Sequence, residues 1–474
     1  MSDIRRRRTI FVRRTSWSTG NTFPSSTQIA VRWVISALVL VFCFVVCGRF
    51  PTGVFAQELP LPLTLREAVA TALARHPAIR VGEATVRAAQ QRVRQQEAGY
   101  LPRGAYTYTL SRQQRPLTAA VGGVQIDGQE QQRVRNFSQL FAFHSTNFSL
   151  RQLLFDFGRT LDSIQAAIAS VDANVADLDT TRHTVEFNVK QAYYGLLSAQ
   201  HLLRVAEETI QQNTKHLENA QARFEVGVAS RFDVTQAQVQ VSTAELDYVT
   251  AQNNVDLGRE TLREALGMVE PLTSPLVDTL NRQSVTVEAE TAVRHAYANR
   301  PELQSLHAQQ RAATERISSL KKEYLPSISG DAQYTWTGRA YPLQEGWTVG
   351  VTLTIPLFDS ILTTAQIGEA QADMQGLVAQ EEDLRQRIAL EVRRSILELR
   401  RAEKSIRVSE QSEVQARENL SLAEGRYQVG VGNILEVTDA QTSLTSARAN
   451  VIQSLYNYKT ALAQLERAIG RNLE

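Results

Sequence analysis

Arg223-Phe224-Glu225-Val226-Gly227-Val228 returns 203 positions later as Arg426-Tyr427-Gln428-Val429-Gly430-Val431. The same offset carries Leu154-Phe155-Asp156 onto Leu357-Phe358-Asp359, and Leu266-Gly267 onto Ile469-Gly470. Upstream, Tyr100-Leu101-Pro102 and Tyr324-Leu325-Pro326 stand 224 positions apart. The step in offset places an insertion in copy one, between residues 103 and 146. A duplicated unit of roughly 200 residues implies pseudo-symmetry, which suggests a ring or a tube.

Proline is absent from 117 to 270 and from 357 to the end, which leaves room for very long helices. From Val189, large apolar residues recur every seventh position as Leu196, Leu203, Ile210, Leu217 and Phe224. Three positions on runs a mostly small series: Ala192, Ala199, Ala206, Asn213 and Ala220. After Gly227 the pattern resumes with Val234, Val241, Tyr248, Val255 and Leu262, beside Ala237, Ala244, Ala251, Gly258 and Ala265. Copy two repeats it with one break, at Glu413. A strict heptad of alternating large and small residues packs knobs into close-set holes and favours left-handed supercoiling. Periodicity alone leaves an ordinary helical hairpin and a fibrous rod open. A helix from Gly158 to Phe224 would run roughly 100 Å at 1.5 Å per residue, far beyond one globular core. Its apolar seam therefore calls for other copies of the chain.

Four strand candidates lie between the helices. Trp347, Val349, Val351, Leu353 and Ile355 alternate with Thr348, Gly350, Thr352 and Thr354. Ile328, Gly330, Ala332, Tyr334 and Trp336 alternate with Ser329, Asp331, Gln333 and Thr335. Copy one is weaker, with Tyr106 and Tyr108 in the first strand and Phe148 and Leu150 in the second. Segments that are apolar outside and polar inside suit a transmembrane barrel strand, and the competing reading is a hairpin of a soluble sandwich. Four strands cannot close a barrel, and lipid tolerates no open edge, so the edges must pair with other copies. Three copies would supply twelve strands.

Residues 1–56 read as a signal or leader segment: eight arginines against Asp3, an apolar run from Trp33 to Val46, and Val54-Phe55-Ala56 as a cleavage site after Ala56. The leader is longer than such signals need, which fits a start near Val31. Cleavage leaves 418 of 474 residues (474 minus 56) at about −5, because the chain's +2 includes the leader's +7. No basic patch then argues for nucleic acid. Cys43 and Cys47 both fall in the leader, with Cys47 a poor match to a lipidation site because Val46 is bulky. The mature chain has no thiol, disulfide or thiolate metal site. The remainder divides into a first repeat, 57–270, and a second, 271–474. The expected strands lie at about 103–111, 140–154, 327–337 and 346–356, and the long helices at about 158–225, 231–268, 360–425 and 434–469.

The Tyr-Leu-Pro steps into the strands, the Leu-Phe-Asp exits and the paired tips at 223–234 and 426–437 resemble those of the TolC-like outer membrane efflux proteins (outer membrane factors). The resemblance covers nearly all of 62–470. It implies a mainly α fold with a β membrane part. As a homotrimer, duplicated strand-helix repeats would form a 12-stranded barrel in outer-membrane lipid, continuous with a long α-helical barrel in the periplasm of a Gram-negative bacterium. It also implies a duct without catalysis or cofactor, serving an efflux or type I secretion system. The partners would be a periplasmic adaptor and an inner-membrane pump of RND, ABC or MFS type.

Gly227 and Gly430 suit helix ends, and Ser230 with Asp233 and Asn433 with Glu436 have capping-box spacing. The resemblance makes the tips, Val226, Gly227, Val228, Ala229 and Val429, Gly430, Val431, Gly432, adaptor-facing. It also places a periplasmic gate at Asp233, Tyr427, Glu436 and Asp439. The acidic constriction falls on Glu436-Val437-Thr438-Asp439, and a tyrosine–aspartate lock on Tyr427 and Asp233. An arginine that helps this lock elsewhere in the family falls at Gly432. Three copies of Asp439 at an axis would form a carboxylate ring favouring cations. The seven histidines are scattered without ligand spacing. Residues 112–138, polar and glycine-bearing, read as an external loop. The alternatives are a trimeric coiled-coil structural or adhesin-like envelope protein, and a periplasmic adaptor lacking its usual β domain.

Overall fold

The computed structural model describes residues 62–126, 129–282 and 287–471. The leader, its cleavage after Ala56, and Cys43 and Cys47 lie outside them. Two short helices, α1 (Leu65–Arg75) and α2 (Pro77–Glu97), lead into strands β1 (Arg103–Ile126) and β2 (Gln129–Phe155). A hairpin of long helices follows, α3 (Arg159–Glu225) and α4 (Arg231–Ala265). The second half repeats the series as α5 (Ala289–Asn299), α6 (Pro301–Lys321), β3 (Ser327–Gly338), β4 (Gln344–Thr354), α7 (Leu362–Gln428) and α8 (Ile434–Ile469). Helices α3 and α7 are 67 residues each, about 100 Å long at 1.5 Å per residue.

The Leu-Phe-Asp exits turn strand into helix. Asp156 accepts from the Thr160 amide at 2.8 Å and from the Gly158 amide at 3.1 Å. These bonds satisfy amides that the first turn of α3 leaves free. Asp359 accepts from the Thr363 amide at 3.1 Å. The chain swings through left-handed conformations just before each helix, at Phe157 (φ 55°) and Ser360 (φ 63°).

Helix α3 runs the length of the helical part among the described residues. Toward the strands it packs on α2 and α6, with α7 beyond α6; toward the far end it packs on α4 and α8, with α7 beyond α8. Helix α7 therefore edges the layer on one side throughout, and α2 and α4 edge it on the other. Midway, α1 and α5 pack into two apolar clusters, one around Val189, Tyr193 and Leu262, the other around Val392, Tyr458 and Leu465. The Tyr193 hydroxyl lies 2.9 Å from the Leu63 carbonyl and 2.8 Å from that of Val277, tying two connecting segments to α3. Burial lifts its pKa to about 12.

The two heptad series are not equally buried. In the α3–α4 hairpin the small positions Ala206, Asn213, Ala220, Ala237 and Ala244 are buried. Over that stretch the large positions Leu203, Ile210 and Leu217 are half-buried and Phe224 is exposed. Midway the order reverses, with Val189, Leu196, Val255 and Leu262 buried and Ala192, Ala199, Ala251 and Gly258 half-buried. The α7–α8 hairpin buries both kinds, with Leu420, Ala423, Val437, Ala440 and Leu444 in one cluster. Small residues let the helix axes approach, and large ones close over them.

The four strands form one antiparallel sheet in the order β1-β2-β3-β4. Register places Tyr106, Phe148, Tyr334 and Trp347 in one row across it. Gly104, Leu150, Ala332 and Val349 form the next row on that face. The opposite face carries Ala105, Ser149, Gln333 and Thr348, and then Arg103, Arg151, Asp331 and Gly350. There Asp331 pairs with Arg151 at 3.3 Å and accepts from Thr352 at 3.1 Å. Trp347, Val349 and Val351 are 72, 70 and 70% exposed, so the apolar face of β4 has no cover among the described residues.

Residues 112–126 and 129–138, expected as an external loop joining two strands, are a paired continuation of β1 and β2. The β1–β2 ladder runs from Arg103↔Arg151 to Ile126↔Gln129, whereas β3 and β4 stop at Gly338 and Gln344. The ribbon therefore rises about 50 Å past its last contact with β3, at 3.3 Å per residue. Its register slips by one residue between Ala120 and Gly123, where Gly122-Gly123 suits a bulge. A ladder needs paired amides and carbonyls, not an apolar face. A polar composition past the four-stranded level therefore does not argue against strands.

Candidate functional site

At the end away from the sheet both hairpins turn through the same motif. Gly227 (φ 78°) and Gly430 (φ 79°) are left-handed. The amides of Val228 and Val431 reach back to the carbonyls of Arg223 and Arg426 at 2.8 and 3.0 Å, and the glycine amides bond Phe224 and Tyr427. This Schellman pairing satisfies the last carbonyls of each helix. Val226, Val228, Val429 and Val431 are left pointing into solvent with Gly227 and Gly430, and Ala229 and Gly432 are half-buried behind them.

The two tips start their return helices differently. Ser230 and Asp233 form a complete capping box. Asn433 accepts from the Glu436 amide at 2.9 Å, but the Glu436 carboxylate does not return the bond. It turns instead to Arg426 Nε, 3.2 Å away. Asp439, one turn further on, is exposed, and its carboxylate makes no ion pair among the described residues. Of the four gate candidates, Asp233 and Tyr427 make no hydrogen bond to each other: the Tyr427 hydroxyl is buried without a partner among the described residues, and the Asp233 carboxylate is held by Ser230. Burial, and then the Asp233 charge, raise the Tyr427 pKa, while Arg223 opposes them. Glu436 belongs to a local ion pair, and Asp439 stands apart.

Midway, Ile452, Leu455 and Tyr456 of α8 pack into the apolar cluster on α3. From Glu208 to the tips, side-chain hydrogen bonds and ion pairs are what join the two hairpins among the described residues. Arg448 on α8 reaches Glu208 on α3 at 3.0 Å and Glu413 on α7 at 3.8 Å. Gln441 donates to Gln212. His216 Nε2 lies 3.5 Å from Glu424, and Arg223 donates to the carbonyls of Tyr427 and Gln428, both at 2.9 Å. Toward the tips, apolar packing holds the α7–α8 hairpin together, whereas polar groups that water can replace hold the two hairpins to each other. Such contacts contribute little net stability each, so this seam is the easiest to part. Sequence reading missed Arg223, Arg426, His216 and Arg448. Glu413, a charge on a large apolar position, was the one signal of this seam, and it marks one end of the Arg448 bridge.

His216 makes the seam sensitive to acid. Burial lowers its pKa below the ordinary 6.5, and the Glu424 charge only partly offsets this. The folded chain then holds the proton less firmly than the unfolded one. Stability is accordingly full above about pH 6.5 and is lost as pH falls toward the depressed value. Melting temperature should drop from pH 7 to pH 5 with a component that His216→Gln removes. Identical pH profiles for the two proteins would contradict this assignment.

The family model of the outer membrane efflux proteins matches residues 68–268 and 292–471. Outer membrane protein TolC of Escherichia coli (strain K12) is 25% identical over 345 residues, covering 69% of each chain. The probable efflux pump outer membrane protein TtgC of Pseudomonas putida is 24% identical over 421 residues, covering 86% of this chain and 82% of that one. The crystal structure of the Campylobacter jejuni CmeC outer membrane channel superposes with a TM-score of 0.71 at 16% identity, covering 86% of this chain and 87% of that one. That likeness is one of fold, a helical barrel with a β-barrel part. Exposed tips on long helices, a sheet with an uncovered apolar face and the family match converge. The chain belongs to the outer membrane efflux protein family, channels of the outer membrane with a long periplasmic helical part that serve as exit ducts in tripartite systems with adaptors and inner-membrane pumps.

Proposed function

We propose that three copies of this chain close a twelve-stranded barrel and a helical tunnel, gated near the tips, that passively conducts what a pump and adaptor deliver. The observation that carries the proposal is the four-stranded sheet: its lipid-type face is uncovered and β1 and β4 have free outer edges among the described residues. Closure of those edges within lipid requires neighbouring copies. The edge helices agree, since Leu390, Leu397 and Val408 of α7 and Val239, Leu246 and Leu257 of α4 are exposed apolar residues. The duplication, read as repeats 57–270 and 271–474, lets three chains supply six similar hairpins. The exposed valines at both tips suit adaptor docking, with a pump of RND, ABC or MFS type behind it. In this reading the family's channel role leaves the chain without catalysis.

The gate is assigned to Asp233, Tyr427, Glu436 and Asp439, with unequal parts. Asp439 is the free carboxylate, so three copies near the axis would bind cations, whereas Arg426 already compensates Glu436. In planar bilayers Asp439→Ala should weaken block by multivalent cations and raise single-channel conductance. Unchanged block and conductance would remove Asp439 from the gate.

A further inference from the structure

Arg223 and Arg426 occupy the same position in the two copies, one turn before each tip glycine, yet they do different things. Arg426 stays within its own hairpin on Glu436. Arg223 crosses to the other: its Nη1 and Nη2 donate to the carbonyls of Tyr427 and Gln428, both at 2.9 Å, and its guanidinium carbon lies 4.7 Å from the centre of the Tyr427 ring. Those carbonyls belong to the last turn of α7, where the helix dipole favours a cation; that of Tyr427 also accepts from the Gly430 amide, and Arg223 adds a second donor to it. A planar guanidinium can engage two carbonyls and a ring face at once, which an ammonium cannot.

We propose that Arg223 is the positioning residue of the gate, a clamp within one chain that holds the α7–α8 tip against the α3–α4 tip and fixes Tyr427. The proposal rests on the gated-duct reading above. Its consequence follows from the surroundings of Tyr427. The hydroxyl is buried without a hydrogen-bond partner among the described residues, so Tyr427 is not held by its own polar atom. The Arg223 plane over the ring and the fork on the adjoining carbonyls are what locate it. No other side chain of the α3–α4 hairpin makes an ion pair, hydrogen bond or ring contact with residues 426–431 among those described. Loss of the guanidinium would therefore release the last turn of α7 and the tyrosine together, at the tip end of the polar seam.

The test uses full-length trimers from outer membranes in planar bilayers. Arg223→Ala and Tyr427→Ala should each raise single-channel conductance by about twofold or more, with Arg223→Lys between Ala and wild type because it offers one donor in place of a fork. Arg259→Ala, which removes a pair with Asp256 on the same helix, should leave conductance unchanged. The heat stability of the trimer band should match wild type in all of them, separating gating from general loosening. Opening by Tyr427→Ala with wild-type conductance in both Arg223 variants would overturn the clamp and leave the gate standing. Wild-type conductance in all three would overturn the gate assignment and the clamp with it. If Arg223→Ala fails to assemble, Arg223→Lys decides alone, since it keeps the charge and the stem.

Discussion

Val351→Arg is expected to abolish recovery of the protein in the outer membrane. Val351 lies on the β4 face that carries Trp347 and Val349, 70% exposed and without cover among the described residues. An arginine on the lipid face of a barrel costs about 2–4 kcal/mol near the bilayer midplane, and a trimer meets that cost three times. Thr348→Arg is the control. Thr348 points to the opposite face, with Gln333 and Ser149, where an aqueous lumen accepts charge. Fractionation and trimer bands on unheated gels distinguish the two. Equal recovery of both variants would show that the alternation on β4 does not face lipid.

Gly227→Val combined with Gly430→Val is expected to abolish efflux while trimers still form. A Cβ at either glycine would meet nothing within 4 Å, so space is not the obstacle. The obstacle is the backbone, at φ 78° and 79°, where an L-residue costs roughly 1–2 kcal/mol and a β-branched one more. The strain would break the Schellman bonds and move the exposed valines, while the sheet and the midway clusters stay untouched. Cells carrying the double variant should become as sensitive to pump substrates as cells lacking the protein. Normal resistance would remove the tips from adaptor docking.

How much of this could be read from sequence follows from which contacts a repeat encodes. A heptad records packing within a hairpin, so α3, α4, α7 and α8 stand out, and period-two alternation records a face against lipid, so β3 and β4 do as well. The β1–β2 ribbon past Arg112 has no such face, and its ladder is invisible in side-chain pattern. Contacts between the copies are also unwritten in either copy's period. Arg223 and Arg426 look alike in sequence, yet only their three-dimensional neighbours, Tyr427 for one and Glu436 for the other, separate their roles. The same competition explains the incomplete box at Asn433, since Glu436 answers to Arg426.

The central claim is that several copies must join to close the duct, because the described residues of one chain leave two sheet edges and two apolar helix edges open. Native mass spectrometry of the wild-type protein extracted from outer membranes tests it most directly. Particles of three chains are the predicted result, and recovery of the protein as a soluble monomer from the periplasmic fraction would contradict it.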